Sequence, residues 1–238
     1  MSAPARGSLV GKVALISGAS RGIGLAVAEE LRAAGAHVVR LARSLSDGSA
    51  ERDTTLRCDV TRPDEVDRVV TRAIDTVGVP DIVVTSTGVF YVKPLAETTP
   101  EEFTETINTN LTGPFLVVRA LIPRLLERGR GHVVTIGSSS DHIPYPGNSA
   151  YAASKYGVRG MHEVLSAELA NSGVLATLVS PGSTDTDIWN NVDPDSKPGF
   201  RKRKDMMRPE DVAEAVLFVV TREPRMLVTE ICLAPSRR

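Results

Sequence analysis

Tyr151 and Lys155 stand four residues apart in Tyr-Ala-Ala-Ser-Lys, within a stretch whose pattern is helical. At that spacing the two side chains share one helix face, a turn apart. A free phenol, with a pKa near ~10, is a poor acid or base at neutral pH. A neighbouring ammonium favours the phenolate and lowers that value. A tyrosine tuned in this way protonates a carbonyl oxygen while hydride arrives at carbon, or takes the proton in the reverse direction. The motif is short, and an amphipathic helix with a half-buried Tyr and a surface Lys carries it without chemistry. Ser138 adds to the chemical reading. The run Val133-Val-Thr-Ile-Gly137-Ser138 ends thirteen residues before Tyr151, and its last hydroxyl suits a hydrogen bond to the same carbonyl oxygen.

A second motif lies near the start. Val13-Ala-Leu-Ile-Ser-Gly18-Ala-Ser-Arg21-Gly22-Ile-Gly24 runs from an apolar strand into a helix. Glycines spaced G-x-x-x-G-x-G permit a tight turn, close backbone approach to a pyrophosphate and close helix–strand packing. The helix N-terminus adds free N–H groups and the positive end of its dipole. A sharp strand-to-helix connection is the plainer use of such glycines; the βαβ context favours a dinucleotide, with Gly18, Ser20, Arg21, Gly22, Ile23 and Gly24 as contacts.

The end of the second strand bears on which dinucleotide. An acid there holds the ribose 2′-OH of NAD, whereas an arginine accommodates the 2′-phosphate of NADP. The run Ala36-His-Val-Val-Arg-Leu-Ala42-Arg43-Ser44 has Ala42 at the acid's position and Arg43 next to it. Arg21 and Arg43, with no competing carboxylate, point to NADP(H) over NAD(H). A solvated loop arginine is the plainer account of Arg43.

The glycine pattern, the Ser138 spacing and Tyr151-x-x-x-Lys155 together resemble the classical short-chain dehydrogenase/reductase family, whose turn reads TGxxxGIG. Ser17 replaces the usual Thr and keeps a hydroxyl. The resemblance runs from Gly11 to about Leu233. It implies a catalytic tetrad of Asn110, Ser138, Tyr151 and Lys155, with Asn110 in a long helix holding a water in a proton relay through Lys155. It likens Pro181-Gly182-Ser-Thr184-Asp-Thr186 to the segment that holds the nicotinamide carboxamide and a nearby phosphate. Asp59-Val60 resembles the family's adenine-contacting pair, although Asp59 also suits a cap for the helix that follows. Tyr151 and Lys155 count among the cofactor contacts too. The family's usual homotetramer, or a homodimer, is implied for the assembly, and carbonyl reduction in the family needs no metal.

Three departures stand out. Thr85-Ser86-Thr87-Gly88 replaces Asn-Asn-Ala-Gly. Its hydroxyls reach less far than the asparagines that bridge the central strands, and Ser86, Thr87 and Gly88 remain as cofactor contacts. The stretch from Arg43 to Cys58 is short, with room for a brief helix at most. The end, Val228-Thr-Glu-Ile-Cys-Leu-Ala-Pro235, lacks the glycine pair of many relatives. Relatives carry a mobile lid over the substrate where residues 187–207 lie. Phe90, Tyr91, His142, Tyr145, Asn148 and Trp189 are candidates for the pocket wall. The basic run Arg201-Lys-Arg-Lys204 reads as a solvated face, or as a cationic rim for an anionic substrate.

These groups need a frame. Apolar β-branched runs at Val13–Ser17, His37–Leu41, Thr55–Cys58, Ile82–Thr85, His132–Ile136, Leu175–Val179 and Glu230–Leu233 alternate with helical patterns beginning near Gly22, Pro63, Pro100, Ser149 and Pro209. The three prolines precede acidic residues, as helix first turns prefer. The alternation predicts an α/β chain: a single doubly wound Rossmann-type domain, a parallel sheet of about seven strands and helices on both faces. Ligands then bind beyond the carboxyl ends of the strands. Residues 1–10 read as an N-terminal extension before one catalytic domain.

With 238 residues and a formal net charge of −1, the chain has no basic field for a nucleic acid. No apolar run approaches the ~18 residues of a membrane span, so a cytoplasmic protein is expected. Cys58 and Cys232 form no disulfide or metal framework, and His37, His132, His142 and His162 have no ligand spacing. The expected function is an NADP(H)-dependent carbonyl reductase or alcohol dehydrogenase acting on a small molecule. A 3-oxoacyl reductase of fatty-acid or polyketide type, and a dinucleotide-binding sensor or scaffold without catalysis, are the alternatives.

Overall fold

The computed structural model describes residues 8–223 and 225–236; most of the expected N-terminal extension lies outside them. Strand β1 (Val13–Ser17) leads into helix α1 (Gly22–Ala33) and β2 (His37–Ala42), followed by β3 (Gly48–Ala50) and β4 (Asp53–Arg57). Helix α2 (Pro63–Val77), β5 (Ile82–Thr85), α3 (Pro100–Ile107) and α4 (Gly113–Arg128) come next. Then follow β6 (Gly131–Ile136), α5 (Ser149–Glu168), β7 (Val174–Pro181), α6 (Pro209–Val220) and β8 (Glu230–Leu233). All five expected helix starts are met. At Pro63, Pro100 and Pro209 the proline occupies the first turn, with acids behind it to face the positive dipole end.

The strands form one sheet in the order β3-β4-β2-β1-β5-β6-β7-β8. Neighbours are parallel except β3, which pairs antiparallel to β4 with Gly48 opposite Thr55. This corrects the expected count of about seven to eight, and the brief helix between Arg43 and Cys58 to a hairpin. Gly-Ser-Ala is exposed throughout, so no buried face imposes a pattern that sequence reading detects.

Alternate side chains of each inner strand enter two cores. On β1, Leu15 joins the cluster containing Val66, Val69, Val117, Leu121 and Leu165, from α2, α4 and α5. Ala14 and Ile16 join the opposite cluster with Val27, Leu31, Val212 and Val216, from α1 and α6. Strands covered on both faces read as continuous β-branched runs, and helices on both faces of the sheet give the doubly wound arrangement. No described helix is long and apolar enough to cross a membrane.

The helical pattern from Pro100 is interrupted. Between α3 and α4, Asn108–Thr112 form a single wide π turn, a local defect that recurs at functional sites. Asn110 lies in it rather than in a continuous long helix.

Candidate active site

The carboxyl ends of β1, β2, β4, β5, β6 and β7 open into one cleft of about 1070 Å³. Its walls include all the residues expected to touch the cofactor, together with Ser138. Gly18 has φ +72°, and a Cβ there would sit 2.8 Å from the Ser86 backbone. At Gly24 a Cβ would sit 2.4 Å from the Gly18 carbonyl oxygen. Only glycine permits this turn. The helix behind it has no acidic residue in its first turn and no side-chain cap on its N-terminus, which leaves the positive dipole end open toward the cleft.

Arg21 and Arg43 both line the cleft, and neither forms an ion pair among those found in the described residues. The Asp59 carboxyl bonds the main-chain N–H and hydroxyl of Thr61 at 3.0 and 2.7 Å. Helix α2 begins after Arg62 with no side-chain cap, so Asp59 shapes the turn rather than capping the helix. Three buried hydroxyls at the strand ends, on Ser17, Thr85 and Thr87, have no partner; of these, Thr85 stands where the longer asparagine is expected. The Thr87 hydroxyl belongs to the cleft wall. A glycine cradle, two cations without ion pairs and an unpartnered wall hydroxyl fit a phosphorylated dinucleotide.

Helix α5 carries Tyr151 and Lys155 on its cleft side. Lys155 is buried and its ammonium donates to the Ile136 carbonyl at 3.0 Å, 5.8 Å from the centre of the Tyr151 ring. Burial pushes its pKa down to about 8, against the nearby charge of Asp141. Burial likewise pushes the Tyr151 phenol up to about 12, with a hydrogen bond from Ser138 opposing and Asp141 adding to the rise. The phenol is therefore raised rather than lowered, because desolvation of the phenolate is the largest influence on it. At neutral pH the phenol holds its proton and is set to donate it.

Ser138 follows β6 by two residues and caps the 3-10 turn Ser139–Asp141, its hydroxyl accepting from the Ser140 N–H at 3.1 Å. Asn110 is completely buried behind the cleft wall rather than in it. Its amide accepts from the Val89 N–H at 2.8 Å and donates to the Val89 carbonyl and the Ser154 hydroxyl at 3.0 and 3.1 Å. It thus ties the loop after β5 to α5, and no direct bond to Lys155 is present.

Phe90 stands edge-on to both Tyr151 and Trp189, with ring centres 4.8 and 4.9 Å away. Tyr145 and Asn148 also line the cleft; Tyr91 and His142 do not. The Tyr91 hydroxyl turns to Glu105 at 3.0 Å, and His142 Nδ1 lies against Asp141. In the basic run, Arg201 and Lys202 line the cleft and Lys204 is exposed, while Lys202 and Arg203 are bonded within their own loop. Lys202 donates to the carbonyls of Pro194, Asp195 and Lys197, and Arg203 bonds Asp185 and Asn190. The partners of Lys202 and Arg203 lie 5 to 18 residues away, beyond what a local reading of charge detects. Sequence reasoning also missed Ser154 and Asp141, because their partners come from distant segments. Among the described residues no cluster of His, Cys, Asp or Glu could hold a metal ion.

Residues 12–197 match the model of the short chain dehydrogenase family. A glycine betaine reductase of Emericella nidulans is 34% identical over an alignment of 242 positions that covers 97% of this chain; the chain spans 19% of that protein's length. An uncharacterised oxidoreductase of Staphylococcus aureus is 34% identical over 237 residues, covering 95% of this chain and 98% of the relative. A metagenomic short-chain oxidoreductase in complex with NADP superimposes with a TM-score of 0.79 at 29% identity, covering 97% and 99% of the two chains. An alcohol dehydrogenase from Thermococcus sibiricus, complexed with 5-hydroxy-NADP, does so with a TM-score of 0.83 at 28% identity, covering 95% and 97%. With that match over most of its length and its glycine turn and Tyr–Lys helix facing one cleft, the chain belongs to the short-chain dehydrogenase/reductase family of oxidoreductases.

Proposed function

We propose that this protein is an NADP(H)-dependent oxidoreductase that interconverts a carbonyl and a secondary alcohol on a small molecule, with Tyr151 as the general acid and base. The observation that carries the reading is the meeting of Tyr151, Lys155 and Ser138 in the cleft bounded by the glycine turn. The nicotinamide supplies hydride to the carbonyl carbon, or accepts it, when bound. Tyr151 gives its proton to the carbonyl oxygen, and the Ser138 hydroxyl donates a hydrogen bond to that oxygen as charge develops on it. Lys155, held by the Ile136 carbonyl, keeps a positive charge beside the phenol and so eases departure of its proton. Asn110 acts from behind by fixing the loop after β5 against α5.

NADP(H) is favoured by Arg21 and Arg43, by Ala42 where an acid would repel a phosphate, and by the NADP bound to a structural relative. Pro181, Gly182, Thr184 and Thr186 are assigned to the nicotinamide end, and Asp59 with Val60 to the adenine end. Residues 187–207 form the substrate lid of a single catalytic domain. Phe90, Trp189, Tyr145 and Phe200 keep water from the reacting atoms. The internal bonds of Lys202 and Arg203 favour an uncharged carbonyl over the anionic carrier of an oxoacyl substrate. Large apolar side chains exposed on α4 and α5, among them Phe115, Tyr156 and Val164, support self-association into a homodimer or homotetramer.

The test is turnover of a panel of ketones, aldehydes and acyl thioesters with NADPH and with NADH. Tyr151→Phe should abolish turnover while NADPH still binds. Unchanged turnover in that variant would overturn the reading, and a preference for NADH would overturn the cofactor assignment.

A further inference from the structure

Behind Ser138 lies a carboxylate that the chemistry above does not use. Asp141 is 0% exposed and closes the turn Ser139–Asp141. A buried carboxylate persists only where hydrogen bonds and cations replace its water. Here both oxygens are satisfied. Oδ2 accepts from the Ser138 main-chain N–H at 3.3 Å and from the Ser180 hydroxyl at 2.5 Å. Oδ1 accepts from Arg159 Nη2 at 3.1 Å and lies 2.5 Å from His142 Nδ1. Although burial opposes its ionisation, the bonds from Ser180, His142, Ser138 and Arg159 hold the carboxyl below the usual carboxylate range.

The group joins four elements. Ser138 follows β6, Ser180 precedes Pro181-Gly182 at the end of β7, and Arg159 belongs to α5, two turns beyond the acid. Arg159 also pairs with Glu230 on β8. Room is kept for the carboxylate by Gly137, where a Cβ would lie 2.5 Å from Asp141 Oδ2 and 2.8 Å from Ser180 Oγ.

We propose that Asp141 is a positioning residue for the reaction: its carboxylate fixes Ser138 and, through its charge, holds the Tyr151–Lys155 pair in its protonated form. The inference rests on the reading of Tyr151 as the acid. A fixed negative charge disfavours a phenolate and favours an ammonium, and Asp141 pushes both Tyr151 and Lys155 upward. The other charged or titratable groups around it are accounted for. His142 is its neighbour on the same turn, with a 39% exposed side chain. Arg159 on α5 is paired with Glu163 and Glu230. Cys232 on β8 donates to Glu230, and His162 on α5 is buried against Thr135. Among these, Asp141 alone is both negative and fully buried, so solvent and salt screen it least.

Asp141→Asn keeps the shape and removes the charge. For carbonyl reduction, the alkaline limb of the kcat–pH profile should move down by about one pH unit and kcat should fall about tenfold. A second readout needs no turnover. In an alkaline titration of phenolate absorbance, with Tyr151→Phe as the blank, the Tyr151 signal should appear at lower pH in Asp141→Asn. Arg159→Gln leaves the carboxylate and removes its cation, so both readouts should move upward. This variant decides the matter if Asp141→Asn does not fold. Unmoved readouts in Asp141→Asn, even with a lower melting temperature, overturn the proposal. So does an Arg159→Gln readout that is unmoved or moves downward. An unsubstituted protein without turnover would instead overturn the oxidoreductase reading, and the absorbance titration would still decide the role of Asp141.

Discussion

The ammonium of Lys155 donates to the main-chain carbonyl of Ile136 at 3.0 Å, fastening the helix that carries the acid to the last residue of β6. Together with the Asp141–Arg159 pair, this bond ties α5, which carries Tyr151, to the strand end that carries Ser138.

Because burial holds Lys155 near about 8, its charge is present at lower pH and is lost as pH rises through that value. Carbonyl reduction should therefore plateau at neutral pH and decline above about 8, as a kcat–pH profile will show. Lys155→Met should lower kcat by roughly a hundredfold and flatten that decline.

Phe90 supports the rings of both Tyr151 and Trp189. Phe90→Ala removes two edge-on contacts, each worth about 0.5–1.5 kcal/mol beyond area burial. It should lower the melting temperature and cut kcat about tenfold, since small displacements of an acid are costly. Stopped-flow reduction with NADPH, alongside calorimetry, measures both effects.

Gly24→Ala places a Cβ 2.4 Å from the Gly18 carbonyl oxygen. Neither backbone can yield without opening the turn, so a loss of about 1–3 kcal/mol of stability is expected. NADPH affinity, followed by fluorescence titration, should fall at least tenfold. Undiminished binding would show that the turn does not touch the dinucleotide.

The Thr85 hydroxyl is buried and unpartnered. An apolar group of the same shape avoids that penalty, so Thr85→Val should stabilise the protein by about 1 kcal/mol in urea denaturation. A loss of stability would show that the hydroxyl has a partner.

His132 and His162 are buried against Thr177 and Thr135, and burial pushes both down to about 4. In the unfolded chain each accepts a proton near ~6.5. Their contribution is thus intact above that value and lost as pH falls from there toward 4. The ceiling is on the order of 3 kcal/mol for each residue. Urea midpoints measured across this window should fall with pH, and less steeply in His162→Gln.

What was legible in the sequence was local. The glycine turn, the Tyr–Lys pair and the proline-led helix starts are fixed by spacings of a few residues, because one turn or one helix face imposes them. Asp141 was hidden because its partners Arg159 and Ser180 come from segments 18 and 39 residues away. Strand β3 escaped notice because three exposed small residues carry no periodicity. The bonds of Lys202 escaped notice for a related reason: the carbonyls that accept from it are brought beside it only by the fold of the loop.

Strand β8 pairs with β7 at the very end of the fold, placing Glu230 against Arg159 and so against the surroundings of Ser138. During synthesis every other described element emerges from the ribosome before it. The dinucleotide cleft is then framed by residues already made, while the clamp behind the acid waits for one of the last strands. A chain stopped short of Glu230 lacks the partner of Arg159 and also the Leu233 carbonyl that accepts from the Gly182 N–H at 2.7 Å, so the last strand to be made completes both the proton-donating side and the nicotinamide side of the cleft.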